Sequence, residues 1–242
     1  MQNPYKVVIF DLDETIGHFE EISLFLNGLK NFCGPSLDDN YVTKLLDIWP
    51  VFFRPGIFNI LNMIKRIKKQ DNLVKVVIYT NNMGPRKWTL LIKNYLERKI
   101  NYKIFDKIIT GFRPYSKQNC RTTHEKTYSD LLRCTKYGKT AEFVFLDDQY
   151  HPKMFHPKIK YVYLHPYNFG LPFEKMAEMF IKSSQKIVTT DDEKGVFKEL
   201  LVDFLSSTHD GHKYVIARSE ILSRDIQEYY AIKKVIKSFL EG

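Results

Sequence analysis

YKVVIFDLDETIGH, residues 5–18, changes character half-way along. Val7, Val8, Ile9 and Phe10 are β-branched or aromatic with no polar break, the pattern of a strand buried on both faces. Asp11, Asp13 and Glu14 follow at once. Carboxylates two residues apart at the end of a buried strand repel one another unless something positive lies between them. The stretch therefore predicts a strand that ends in a charged site.

Four more apolar runs read as buried strands: VKVVIY (74–79), FDKIIT (105–110), EFVFL (142–146) and KYVYL (160–164). Helical patterns separate them. In IFNILNMIKRIKK (57–69), Ile57, Ile60, Leu61, Ile64 and Ile67 form one stripe, and the basic end suits a helix C-terminus. Pro85 can open the next helix, with Trp88, Leu91, Ile92, Tyr95 and Leu96 on its apolar face. Strands alternating with helices predict an α/β fold with a parallel sheet covered on both faces.

Residues 19–53 break the alternation and read as two short helices interrupted at CGPS (33–36), a small helical insertion after the first strand. The expected organisation is a core over 1–170 and a helical C-terminal extension over 171–242, packed on that core. In the last helix Ile221, Leu222, Ile226, Tyr229, Ile232, Val235, Ile236 and Phe239 recur at helical spacing, which predicts packing on the domain rather than partner binding.

The 242 residues, 44% hydrophobic and 14% aromatic, are enough for a sizeable core. The long uncharged apolar run of a membrane span is missing, and MQNPYK does not open a signal peptide. Cys33, Cys120 and Cys134 make a poor disulfide framework, and their odd number fits a reducing compartment. A cytoplasmic or nuclear protein without membrane association is expected. The net charge of +9 favours acidic, phosphorylated or nucleic-acid partners.

Parallel sheets bind ligands outside the carboxyl ends of their strands. Past the first strand come Asp11, Asp13 and Thr15; past VKVVIY come Thr80, Asn81 and Asn82; past EFVFL come Asp147 and Asp148. Four aspartates at one edge require a cation, and Mg²⁺, a hard ion that takes oxygen ligands, is the natural candidate.

These residues carry a resemblance. FDLDETIGH, then FFRPGIFNIL, then IYTNN, then FLDD resemble the haloacid dehalogenase superfamily, a Rossmann-like α/β fold. Within it the chain is most similar to the C-terminal-domain, or NLI-interacting-factor-like, phosphatases. Asp11, Leu12, Asp13, Glu14, Thr15 and His18 fall on that branch's first motif, and Arg54, Pro55 and Gly56 on its second. The resemblance spans about residues 5–170; some large DNA viruses encode similar proteins. Where the branch has Asp-Asn in its last motif, this chain has Asp147-Asp148, and Gly17 replaces an apolar residue.

The resemblance implies a Mg²⁺-dependent phosphatase. Asp11 is the nucleophile that forms an aspartyl-phosphate, and Asp13 the general acid and base. The metal set is Asp11, Asp13 through its backbone carbonyl, and one of Asp147 and Asp148. Thr15, Thr80, Asn81 and a lysine surround the phosphate. Lys126, in HEKTYSDLL, fits the lysine best, with Lys117 the runner-up. Phosphoserine or phosphothreonine in a protein is the expected substrate. A small-molecule or nucleic-acid-end phosphate is the alternative, and a catalytically quiet binding module of the same fold is the third reading.

GFRPYSKQNCRTTHEK (111–126) holds Arg113, Tyr115 and Arg121, candidates for reading a substrate because guanidinium forks match phosphate oxygens; an ordinary basic surface loop is the competing reading. Zinc at Cys120, His124 and Cys134 is disfavoured without a paired CxxC. His18 fits either the site or a structural role, and HPKMFHP (151–157) reads as a rigid loop.

Overall fold

The computed structural model describes residues 3–34, 40–115, 120–183, 190–208 and 219–242. The elements run β1 (Lys6–Phe10), α1 (Glu20–Cys33), α2 (Asn40–Ile48), α3 (Ile57–Gln70), β2 (Val74–Tyr79), α4 (Arg86–Ile100), β3 (Lys107–Ile109), α5 (Tyr128–Thr135), β4 (Glu142–Asp147), β5 (Ile159–Tyr163), α6 (Phe173–Lys182), α7 (Asp191–Thr208) and α8 (Ser219–Glu241). Short 3₁₀ turns lie at Pro50–Phe52 and Pro152–Met154.

Among the described residues the strands form one parallel sheet in the order β3-β2-β1-β4-β5. The chain is thus an α/β protein with a Rossmann-like sheet. Strand β1 lies at the centre, which explains why Val7, Val8, Ile9 and Phe10 are all buried. Val7 and Ile9 join Val77, Tyr79, Phe143 and Phe145 in a core cluster closed by Leu131 and Cys134 of α5. On a pleated strand the neighbours Val8 and Phe10 face the other way. Helices α3 and α8 pack on each other, α3 against β2 and α8 against β1.

The chain divides into two compact units. The first comprises residues 1–17, 54–167 and 219–242, and the second 18–53 and 168–218. This partition differs from the division expected at residue 170. The insertion pairs with α6 and α7, while α8 returns to the sheet. In the second unit α1 packs on α7 and α2, and α6 on α7 and α2. Phe25 meets Trp49 and Phe180 at ring distances of 4.7 and 5.4 Å. Gly28 brings α1 and α7 together, since a Cβ there would lie 2.5 Å from Leu201 Cδ1. An apolar stripe on α1 that cannot be buried by two short helices alone finds its cover in α6 and α7.

The cysteines depart from expectation. Cys120 and Cys134 form a disulfide, with Cα atoms 5.1 Å apart, and Cys33 is free. Counting an odd number of cysteines hid this pair. Helix α5 runs back so that its last turn meets the loop in front of it. No helix among the described residues is long and apolar enough to cross a membrane.

Candidate functional site

Register builds the site. Phe10 pairs with Ile78 on one side and Leu146 on the other. One step further, Asp11 stands level with Asp147, and its N–H donates to the Leu146 carbonyl at 2.9 Å. Beyond β1 the chain turns sharply. Ile16 N–H donates to Leu12 O at 2.9 Å and Glu14 N–H to Gly17 O at 2.8 Å. Glu14 takes φ 58°, a left-handed conformation uncommon outside glycine. Strand direction thus carries Asp11 to the sheet edge, and the turn sets Asp13 and Thr15 beside it.

Lys126 joins the strand ends. Its Nζ donates to Asp11 Oδ1 and to Asp147 Oδ2, both at 2.6 Å. The ammonium is buried, 2% exposed, and lies 5.9 Å from the Tyr79 ring and 5.8 Å from that of Phe145. Lys126 sits just before α5, whose N-cap Thr127 accepts from the Asp130 N–H at 3.0 Å. Thr127 N–H in turn donates to Tyr79 Oη at 3.1 Å, which fixes the height of the lysine above the sheet. Lys126, the first candidate for the lysine, is thus brought to two of the aspartates, and Lys117, the runner-up, lies outside the described residues.

Asp11, Asp147 and Asp148 each offer a carboxylate oxygen, all within 4.8 Å of one another and all buried. Such a set of close, hard oxygens fits a divalent cation of the Mg²⁺ type. Burial pushes the Asp11 carboxyl up, to about 7, with Lys126 pulling it down and Asp147 pushing it further up. Burial raises Asp147 as well, but His151 and Lys126 outweigh it and hold that carboxyl below the usual range. Asp148 is raised by burial, with the Thr15 hydroxyl opposing. A bound cation would move all three towards the ionised form.

Thr15 has a different task from the one expected. Its hydroxyl donates to Asp148 Oδ1 at 2.9 Å, so its one donor proton holds the carboxylate rather than facing a phosphate. The Asp13 carboxylate stands apart from the three-aspartate cluster and accepts from Asn82 Nδ2 at 2.8 Å. Thr80 Oγ1 accepts from the Asn82 N–H at 3.0 Å and still carries a donor proton. Asn81 lines a cavity of about 330 Å³ together with Lys126, His124, His151, Tyr150 and Lys153. The aspartates do not line this cavity themselves; Lys126 and His151, which do, connect it to Asp11 and Asp147.

The candidate substrate-reading residues separate. Arg121 is 3% exposed and works inward. Its Nη1 reaches Asn81 Oδ1 at 2.8 Å and the Thr80 carbonyl at 3.2 Å, and its Nη2 the His124 carbonyl at 2.6 Å. It braces the loop after β2 and is unavailable as a surface reader. Arg113 Nη2 donates to the Met83 carbonyl at 2.8 Å and to the Gly84 carbonyl at 2.5 Å. It too is engaged with the backbone, whereas Tyr115 is fully exposed. His18 pairs with Glu21 at 2.8 Å inside the second unit, a structural role.

No family model, curated protein or solved structure matches the chain. The site therefore has to be understood from its own atoms. Two residues stand out that the sequence motifs did not mark. His151 follows Asp147 by four positions and its Nε2 lies 3.3 Å from Asp147 Oδ2. The HPKMFHP segment holds a 3₁₀ turn at Pro152–Met154, with His156 stacked on Tyr128 at 3.8 Å, but its first histidine faces Asp147. Tyr161, on the edge strand, supports this loop: its hydroxyl donates to Gln149 O at 2.6 Å and accepts from His151 N–H at 3.2 Å. The four-residue spacing from Asp147 was the available signal for His151. For Tyr161 there was none.

Proposed function

We propose that this chain is a Mg²⁺-dependent phosphomonoesterase that works through an aspartyl-phosphate. The reading is carried by one observation: a buried lysine clamped between aspartates from two strand ends, with a third aspartate beside them. A phosphate monoester is anionic, and so is Asp11. A site that brings them together needs preorganised positive charge at the same place, and electrostatic groups of this kind commonly contribute about 3–4 kcal/mol each. The residues resemble those of haloacid dehalogenase phosphatases, and that resemblance supplies the roles.

Asp11 attacks phosphorus in line, a P–O bond to the carboxylate forms and the ester P–O bond breaks. Asp13 gives its proton to the departing alkoxide oxygen. Water then attacks the aspartyl-phosphate, Asp13 takes the water's proton, and inorganic phosphate leaves with Asp11 restored. Lys126 stabilises the negative charge that gathers on the phosphoryl oxygens. Thr80 and Asn81, at the end of β2, orient those oxygens. Asp11, Asp147 and Asp148 would hold Mg²⁺, which offsets the repulsion between nucleophile and phosphate. The C-terminal-domain phosphatase likeness favours phosphoserine or phosphothreonine in a protein as substrate.

Purified protein with Mg²⁺ and p-nitrophenyl phosphate should release phosphate, and Asp11→Asn should reduce the rate by roughly 10⁴-fold or more. Equal silence of wild type and variant with Mg²⁺, Mn²⁺ and Co²⁺ would sink the proposal. A panel of phosphopeptides, phosphosugars and 3′-phosphorylated oligonucleotides then ranks the substrate classes.

A further inference from the structure

Arg54 is 2% exposed and lies far from Asp11 in sequence, yet its guanidinium grips the turn that follows the nucleophile. Nε donates to the Thr15 carbonyl at 2.6 Å, and Nη2 to the carbonyls of Glu14 at 2.6 Å and His165 at 2.7 Å. The Tyr167 N–H adds a second donor to Glu14 O at 2.8 Å. These bonds fall on the residue that holds φ 58°, a conformation that persists only where its surroundings over-determine it.

A buried guanidinium needs a counter-charge, and α8 supplies it. Glu228 Oε2 accepts from Arg54 Nη1 at 2.6 Å, and Glu228 Oε1 accepts from the His165 N–H at 2.9 Å. Asp225, one turn earlier and 2% exposed, adds charge of the same sign. The neighbouring Tyr229 fixes the seat. Its ring fills the space above Gly56, where a Cβ would lie 2.1 Å from Tyr229 Cδ2.

We propose that Glu228 is a positioning residue for the phosphate site: by holding Arg54, α8 sets the Glu14–Thr15 turn and, through it, Asp13 and Asp148. The chain of contact is continuous. Glu228 orients Arg54, Arg54 fixes the carbonyls of Glu14 and Thr15, and the Thr15 hydroxyl holds Asp148. The turn also carries Asp13, whose carboxylate must meet Asn82. Loss of the Glu228 charge leaves the guanidinium to drift, and small misplacement at a reacting centre has a large effect on rate. The turnover part of this inference rests on the phosphatase reading; the coupling of Glu228 to the turn does not.

The experiment pairs two readouts on Glu228→Gln. With p-nitrophenyl phosphate and Mg²⁺, kcat should fall about 10- to 100-fold while KM stays within about twofold. Amide hydrogen exchange of Asp13–Gly17 should accelerate selectively, with β1 and α3 still protected. Glu241→Gln on the same helix, where an exposed pair with Lys237 spans 3.8 Å, should behave as wild type in both. Should Glu228→Gln fold poorly, Glu228→Asp keeps the charge and withdraws it by one methylene, and should show the same selective pattern more weakly.

Wild-type kcat in fully folded Glu228→Gln overturns the proposal. So does a rate loss that matches the unfolded fraction, or exchange that rises evenly over the whole unit. A wild type silent on every phosphate ester, with exchange still accelerated at 13–17 alone in the variant, leaves the positioning role standing and removes the phosphatase reading.

Discussion

Lys126 bridges two buried carboxylates with one positive charge, so its removal should be felt before any chemistry is measured. Lys126→Met should destabilise the metal-free protein by about 3–5 kcal/mol, because Asp11 and Asp147 are left as uncompensated buried charge. Added Mg²⁺ should recover part of that loss, and urea midpoints with and without the ion read both effects. A variant as stable as wild type would show that the lysine is not the counter-charge. Asp11 and Asp147 were legible in the sequence because each stands at or just past the end of a strand that its apolar run reveals, whereas Lys126 came from the family resemblance alone. Thr15 was legible as a site residue but not in its role. Whether a hydroxyl meets a ligand or a neighbouring carboxylate depends on Asp148, 133 residues away. The two guanidinium groups misled for a similar reason. An arginine in a polar loop reads as a surface residue until the backbone carbonyls that surround Arg121 are known.

At the scale of elements, the seat of α8 depends on a residue without a side chain. Gly56 is the N-cap of α3, holds φ 76°, and lies under the Tyr229 ring. Gly56→Ala should cost about 3 kcal/mol, the sum of left-handed strain and overpacking. Gly138, at φ 84° with nothing within 4 Å of an added Cβ, provides the comparison: Gly138→Ala should cost about 1–2 kcal/mol from strain alone. Equal losses in chemical denaturation would remove the ring from the account. The strands were readable because apolar β-branched runs on both faces leave few alternatives. Helix α8 was readable as a helix, but its pairing with the RPG segment was not. Arg54 and Glu228 are separated by 174 positions and neither flank carries a local mark of the other.

For the molecule as a whole, two tests address what ties distant segments together. Reducing the Cys120–Cys134 bond, which closes a loop of 14 positions, should lower stability by about 3 kcal/mol, read as a drop in urea midpoint with reductant. No change on reduction would show the bond to be energetically idle. Mg²⁺ at about 100 times its dissociation constant should add about 2.7 kcal/mol and raise the melting temperature, and Asp148→Asn should abolish most of that gain. The central position of β1 has a further consequence, for the ribosome. Residues 6–10 leave the ribosome well before residues 142–146, their hydrogen-bond partners on one side, and before Leu240, whose carbonyl accepts from Lys6 Nζ at 3.2 Å. At about 5–20 residues per second, the nascent chain carries a sticky apolar segment for on the order of ten seconds before its neighbours exist. Translation that stalls before α8 would leave this strand without its cover.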